Sequence, residues 1–285
     1  MLQRSTLQLL RFHFSLFLFP VFLFALSQLE DVNWLNVFIV FFILHILVYP
    51  ASNGYNSYMD KDDTAIGGLQ HPMQPSIQLL HATIILDVLA VLLSLLISVP
   101  FMLGILVYIM ASKAYSYRGI RLKQYPVIGF FTVFIFQGAL IFFITYHGCH
   151  PQLSLGVPLI PLFISSSLIG SLYPLTQIYQ HDADKKDEVK TLSILLGKRG
   201  TFLFSMFLFL CAIIGLYILF YKEQNLNFFV LYLFCNTLVV SFFFYWMHKV
   251  WKDEKNANFK NSLWMNIIAT VCATLFFLLL IIFKH

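Results

Sequence analysis

Read from its amino end, the chain alternates long apolar runs with short polar interruptions. The runs have the length a helix needs to cross a lipid core, about 20 residues for about 30 Å. Nine can be drawn, at roughly 9–28, 34–55, 77–98, 101–117, 125–146, 156–180, 201–221, 226–247 and 263–283. The fourth is the shortest, and only Val99 and Pro100 part it from the third. The first run is long and no small-residue cleavage site follows it, so it reads as a span and not as a cleavable signal peptide. The pattern predicts an all-α, polytopic bundle of nine transmembrane helices, built as a single domain over residues 1–285.

Composition agrees with lipid as the solvent. Hydrophobic residues make up 59% of the chain and charged residues 11%, with a mean hydropathy of +0.80, whereas soluble domains carry about 25% charged residues. Basic residues orient the bundle. With the N-terminus in the cytoplasm, every Lys and Arg except Lys222 and Lys284 falls on the inner side. The net charge of +5 is then this bias and requires no nucleic-acid partner; nor does any obligatory protein partner show in the pattern. The four cysteines form no CxxC pair and no zinc spacing and read as small buried apolar residues. Nucleotide loops of the GxGxxG or Walker kind do not occur.

The acidic residues are unevenly placed. Asp60, Asp62 and Asp63 follow the second run, and Asp182, Asp184, Asp187 and Glu188 follow the sixth, so seven of the thirteen acids sit in two short segments on one membrane face. Asn53, Asn56 and Asp60 recur at helical spacing and share a stripe if helix 2 runs on past the membrane edge, with Asp63 and Thr64 continuing it. Gln177, His181 and Asp184 repeat that logic, with Asp187 a turn further on. Oxygen donors without sulfur suit a hard cation, and magnesium binds through one or two carboxylates together with substrate phosphates. A third segment, Ala114 to Lys123, leaves helix 4 on the same side and carries Arg118, Arg121 and Lys123. Arginine can grip phosphate oxygens by a bidentate fork and lysine as a point charge.

These segments resemble the UbiA superfamily of intramembrane prenyltransferases. Its first motif has the form N-x-x-x-D-x-x-x-D; Asn56-Ser-Tyr-Met-Asp60 supplies the first half, while Thr64 stands at the third position and Asp63 one residue early. A register using Asn53, Asn56 and Asp60 is the alternative. Asp184-Lys-Lys-Asp187, Thr191-Leu192 and Leu196-Gly197 resemble the second motif, and Tyr115-Ser116 through Arg121-Leu122-Lys123 with Pro126 and Gly129 the basic segment between them. The resemblance implies nine helices and a magnesium-dependent transfer of a polyprenyl group from its diphosphate to an aromatic or other lipophilic acceptor. It assigns Asn56, Asp60, Asp63, Asp184 and Asp187 to the metal. Lys123, with Arg121 and Arg118, falls to the diphosphate. Tyr115, Tyr117 and Tyr173 could stabilise an allylic cation by their ring faces, with Asn53, Gln177 and His181 also at the substrate and Tyr115 counted with Asp60, Asp184 and Lys123 as catalytic. Site and N-terminus would face the cytoplasm from a bacterial plasma membrane. Phosphoribosyl transfer to a polyprenyl phosphate, or cyclisation of a prenyl diphosphate, uses the same parts. A secondary transporter would instead need functional charges near the midplane, where Asp87 and His45 are the candidates.

Overall fold

A computed structural model describes residues 3–284 as helices and short connections. Among the described residues, eight helices are long and apolar enough to cross a membrane: α1 (Arg4–Ser27), α2 (Trp34–Asp60), α3 (Ile77–Ser94), α4 (Val99–Ser116), α5 (Pro126–Cys149), α6 (Leu159–Gln177), α8 (Leu192–Lys222) and α11 (Phe259–Lys284). Between α6 and α8 lies the six-residue α7 (His181–Lys186). The pair α9 (Leu226–Cys235) and α10 (Thr237–Lys252) is bent by 44° at Asn236 and makes a ninth span when taken as one. The protein is an integral membrane bundle.

Local chemistry sets the boundaries. Ser98 accepts a hydrogen bond from the Phe101 amide, and Pro100 sits in the first turn of α4; this cap and proline separate two runs that the sequence barely divides. Asn33 caps α2 and Thr191 caps α8 in the same way. Two spans carry π turns, at Phe42–Val48 in α2 and Phe134–Leu140 in α5. In the second, a Cβ on Gly138 would meet the Ser166 Cα at 2.4 Å, so glycine there lets the backbones of α5 and α6 touch.

The core joins α1, α2, α5 and α11. Phe24, fully buried, stacks on Phe277 at 4.8 Å and tilts against Phe142 at 5.2 Å. Large apolar side chains such as Phe38, Leu159 and Phe234 face outward, as a lipid surround requires. Both groups that a transport path would use have structural partners. Asp87 pairs with Lys113 across α3 and α4 at 2.7 Å, and that ammonium lies 3.9 Å from the centre of the Tyr55 ring. His45 stacks on Phe41 inside an aromatic cage.

Candidate active site

Helix α2 continues past the apolar run to Asp60, where Lys61 enters the left-handed region (φ 54°) and stops it. Asn53, Asn56 and Asp60 therefore share its last turns, whereas Asp63 and Thr64 leave the helix and are exposed. The second stripe is interrupted. Helix α6 ends at Gln177, and α7 restarts at His181, so His181 turns away from Gln177. Its Nε2 lies 2.8 Å from Ser193 Oγ, which lies 3.1 Å from Thr201 Oγ1. Burial, then the positive Lys198 and Lys185, push His181 down to about 4, so at neutral pH its ring is uncharged.

These helix ends close around a cavity of about 250 Å³. Asn53, Asn56, Asp60, Lys123, Tyr115, Tyr173, Gln177 and Asp184 line it. Asp63, Asp187, Arg118, Arg121, Tyr117 and His181 do not. Two of those six tie the rim together. Arg121 donates to the Asp187 carboxylate and, at 3.1 Å, to its backbone carbonyl, and lies 3.7 Å from Asp60. Arg118 stands 3.5 Å from Asp187 and donates to the Met59 carbonyl at 2.9 Å. The two acidic segments thus meet through arginine. Inside the cavity Lys123 donates to Asp60 Oδ2. Asn56 Nδ2 donates to the same oxygen at 3.0 Å and to Ser116 Oγ at 2.9 Å. On the facing wall Gln177 Nε2 donates to the Tyr173 hydroxyl at 2.8 Å, and that hydroxyl is bonded to Tyr115.

Two cavity groups lay outside the expected set. Asp62 lines it, pushed up to about 6 by burial and then by Asp60, against Lys123 and Arg11. Arg11 lines it too, because the chain turns left-handed there (φ 46°) and breaks α1; its fork holds the Gly67 and Asn53 carbonyls at 3.0 and 3.1 Å. Sequence gave Arg11 only as an inner-face charge. Left-handed residues recur at this rim: Arg11, Lys61, Arg121 and Glu188 all have positive φ and all line the cavity or adjoin a residue of the acidic and basic segments. Such strain, about 1–2 kcal/mol per residue, collects where a site needs a particular backbone.

Oxygen acceptors remain open in this space. Asp184 Oδ2 and Asp60 Oδ1 are buried without a hydrogen-bond partner, a costly state for a carboxylate. Burial is the main reason Asp184 is pushed up to about 7, with Asp62, Asp60 and Asp187 adding to the effect and Lys123 opposing it. Among the described residues no three His, Cys, Asp or Glu side chains gather closely enough to form a complete metal cage. Magnesium asks for less, needing one or two carboxylates with phosphate and water filling the rest. The residues present fit it.

The sequence matches the profile of the UbiA prenyltransferase family over residues 16–281. Solved structures share the fold. They include a UbiA homologue from Archaeoglobus fulgidus bound to DMAPP and Mg2+ (19% identity, 97% of this chain and 99% of that one, TM-score 0.69). A second is the apo UbiA homologue from Aeropyrum pernix K1 (12%, 94% and 97%, TM-score 0.70), and a third comes from work on digeranylgeranylglyceryl phosphate synthase in membranes (21%, 99% and 98%, TM-score 0.63). A search of curated proteins finds no significant match. The chain belongs to the UbiA prenyltransferase family and is a membrane-embedded transferase of that class.

Proposed function

We propose that the protein transfers a polyprenyl group from its diphosphate to a lipophilic acceptor with the help of magnesium, at the cytoplasmic face of a bacterial plasma membrane. One observation carries this reading. Carboxylates from two distant segments, Asp60 and Asp184, line a single cavity together with Lys123 and keep oxygens unpartnered there. Asp60 and Asp184, with Asn56 beside them, would hold the metal, which when bound supplies neutralisation of the diphosphate charge. Asp63 and Asp187, expected at the metal from the motif, act from the rim in this reading, Asp187 by fixing Arg121.

The chemistry assigned to the chain's own residues is electrostatic. Lys123 exchanges its bond to Asp60 for a phosphate oxygen, and Arg121 steadies the same edge. The allylic C1–O bond breaks and its electron pair leaves with the diphosphate. A lone pair or π pair of the acceptor then forms the new bond to C1, and the acceptor's proton passes to the departing diphosphate. The joined Tyr115 and Tyr173 rings face the carbon that becomes positive, and the apolar walls keep water from it.

The test uses purified protein, magnesium, labelled prenyl diphosphates of several lengths and candidate acceptors. Pyrophosphate release that needs magnesium and disappears in Asp60→Ala and Asp184→Ala is the expected result. Solute flux in vesicles with no pyrophosphate under any combination would overturn the reading in favour of transport.

A further inference from the structure

A second space of about 90 Å³ lies deeper in the bundle, among α1, α6, α8, α9, α10 and α11. It shares the wall residues Phe17, Ile169, Leu172 and Thr270 with the diphosphate cavity. No charged side chain lines it. Its walls are largely apolar and aromatic, yet Ser165, Ser205 and Tyr232 also face it. Each is at most 1% exposed, and the hydroxyl of each has no hydrogen-bond partner.

That state is unusual at this depth. Water is scarce in the lipid core, and a serine on a membrane helix ordinarily returns its proton to a carbonyl of the preceding turn. Ser94 does so to Ala90 at 2.6 Å, Ser171 to Leu168 at 2.7 Å and Ser27 to Phe24 at 2.8 Å. Ser165 and Ser205 do not. Tyr232 is held with its ring edge-on to Phe276 at 5.0 Å. Asn236, at the bend between α9 and α10, donates back to the Tyr232 carbonyl at 3.0 Å. A hydrocarbon tail would leave all three hydroxyls unpaired, and a carboxylate would find no cation. A neutral ring bearing a hydroxyl answers both conditions, because its oxygen can accept from one wall hydroxyl and its proton can go to another.

We propose that this chamber binds the prenyl acceptor, and that the acceptor is an uncharged phenolic ring; the assignment rests on the transfer reading above. Phenyl faces of Phe24, Phe209 and Phe243 enclose the ring, while Tyr232, Ser165 and Ser205 select its oxygen. The wall shared with the diphosphate cavity sets the ring beside the place where C1 is released.

The test measures binding to the full chain in detergent micelles by equilibrium dialysis, with 1-naphthol, naphthalene and 1-naphthoate as probes. Pyrophosphate binding with magnesium is followed separately by calorimetry. Wild type should retain 1-naphthol and exclude 1-naphthoate. Tyr232→Phe combined with Ser205→Ala should weaken 1-naphthol about tenfold, the equivalent of ~1.4 kcal/mol, and leave naphthalene unchanged. Ala269→Leu, which fills the chamber, should displace both neutral probes, and pyrophosphate should bind all variants alike. Tyr232→Phe alone should not lower the melting temperature, since the hydroxyl it removes has no partner. Retention of 1-naphthoate as tight as that of 1-naphthol would overturn the proposal. So would unchanged 1-naphthol binding in the double variant, retention of no probe by wild type, or a Tyr232→Phe protein that melts several degrees lower. Wild type that binds 1-naphthol in this pattern but no pyrophosphate would count against the transfer reading and leave the phenol site supported.

Discussion

The two acidic segments reach the same cavity in opposite ways. Asp60 stands on the unbroken end of a membrane helix and is already engaged by Lys123, Asn56 and the nearby Arg121. Asp184 stands on a detached six-residue helix, and its Oδ2 is buried with nothing to hold it. One half of the site is therefore built with its counter-charge, and the other is left for a cation to complete. A proton is the stand-in when no cation is there, which is why Asp184 is pushed up to about 7. The contrast teaches that two carboxylates of one motif system can do different physical work: one fixes architecture, the other stores the binding energy.

Removal of either carboxylate separates those jobs. Asp60→Ala should lower turnover by ~10²–10³, the usual scale for losing a charge-stabilising group. It should also cost about 3–5 kcal/mol of stability, because Lys123 and Arg121 are left buried and unpaired. Asp184→Asn should lower turnover on a similar scale, yet leave the melting temperature unchanged or raised. Equal destabilisation by the two variants would break the comparison.

The pH dependence sharpens it. Folded Asp184 holds its proton more tightly than the unfolded chain does, so the metal-free protein should lose stability as pH rises from about 4 to about 7. Thermal melts between those values should show the fall in wild type and a flatter profile in Asp184→Asn. Magnesium with pyrophosphate should restore stability above pH 7, where the carboxylate is ionised and free to bind.

Smaller effects come from the scaffold behind α7. His181 braces that helix against Ser193. His181→Ala should cost about 1 kcal/mol and reduce kcat a few-fold with little change in KM for the prenyl diphosphate. Gly197, at φ 69° with open space around its Cα, kinks the start of α8. Gly197→Ala should add roughly 1–2 kcal/mol of backbone strain, read as a lower melting temperature with the ligand contacts intact.

Much of this molecule was legible in its sequence, for physical reasons. Apolar run length fixed the spans, and the short fourth helix proved separate because Ser98 and Pro100 form a real start. Helical spacing put Asn53, Asn56 and Asp60 on one face, which the continuation of α2 bears out. What stayed hidden lacked a local signal. Ile178-Tyr179-Gln180 contains neither glycine nor proline, yet the chain breaks there and redirects His181 into a buried hydrogen bond. Nothing beside Arg11 announces its left-handed turn, so its place in the cavity was invisible. Asp62 lies off the helical stripe and reaches the cavity only through the path of the loop. Asp87 and Lys113 find each other across two helices, a pairing that spacing within one helix cannot encode.

The central claim is that Asp60 and Asp184 hold the same bound group. A double-mutant cycle tests it most directly, with pyrophosphate titrated in magnesium into wild type, Asp60→Asn, Asp184→Asn and the double variant. The account predicts strong loss in each single variant and a double variant scarcely worse than either, a coupling of more than ~1 kcal/mol. Losses that simply add, or an Asp184→Asn protein that binds pyrophosphate like wild type, would contradict it.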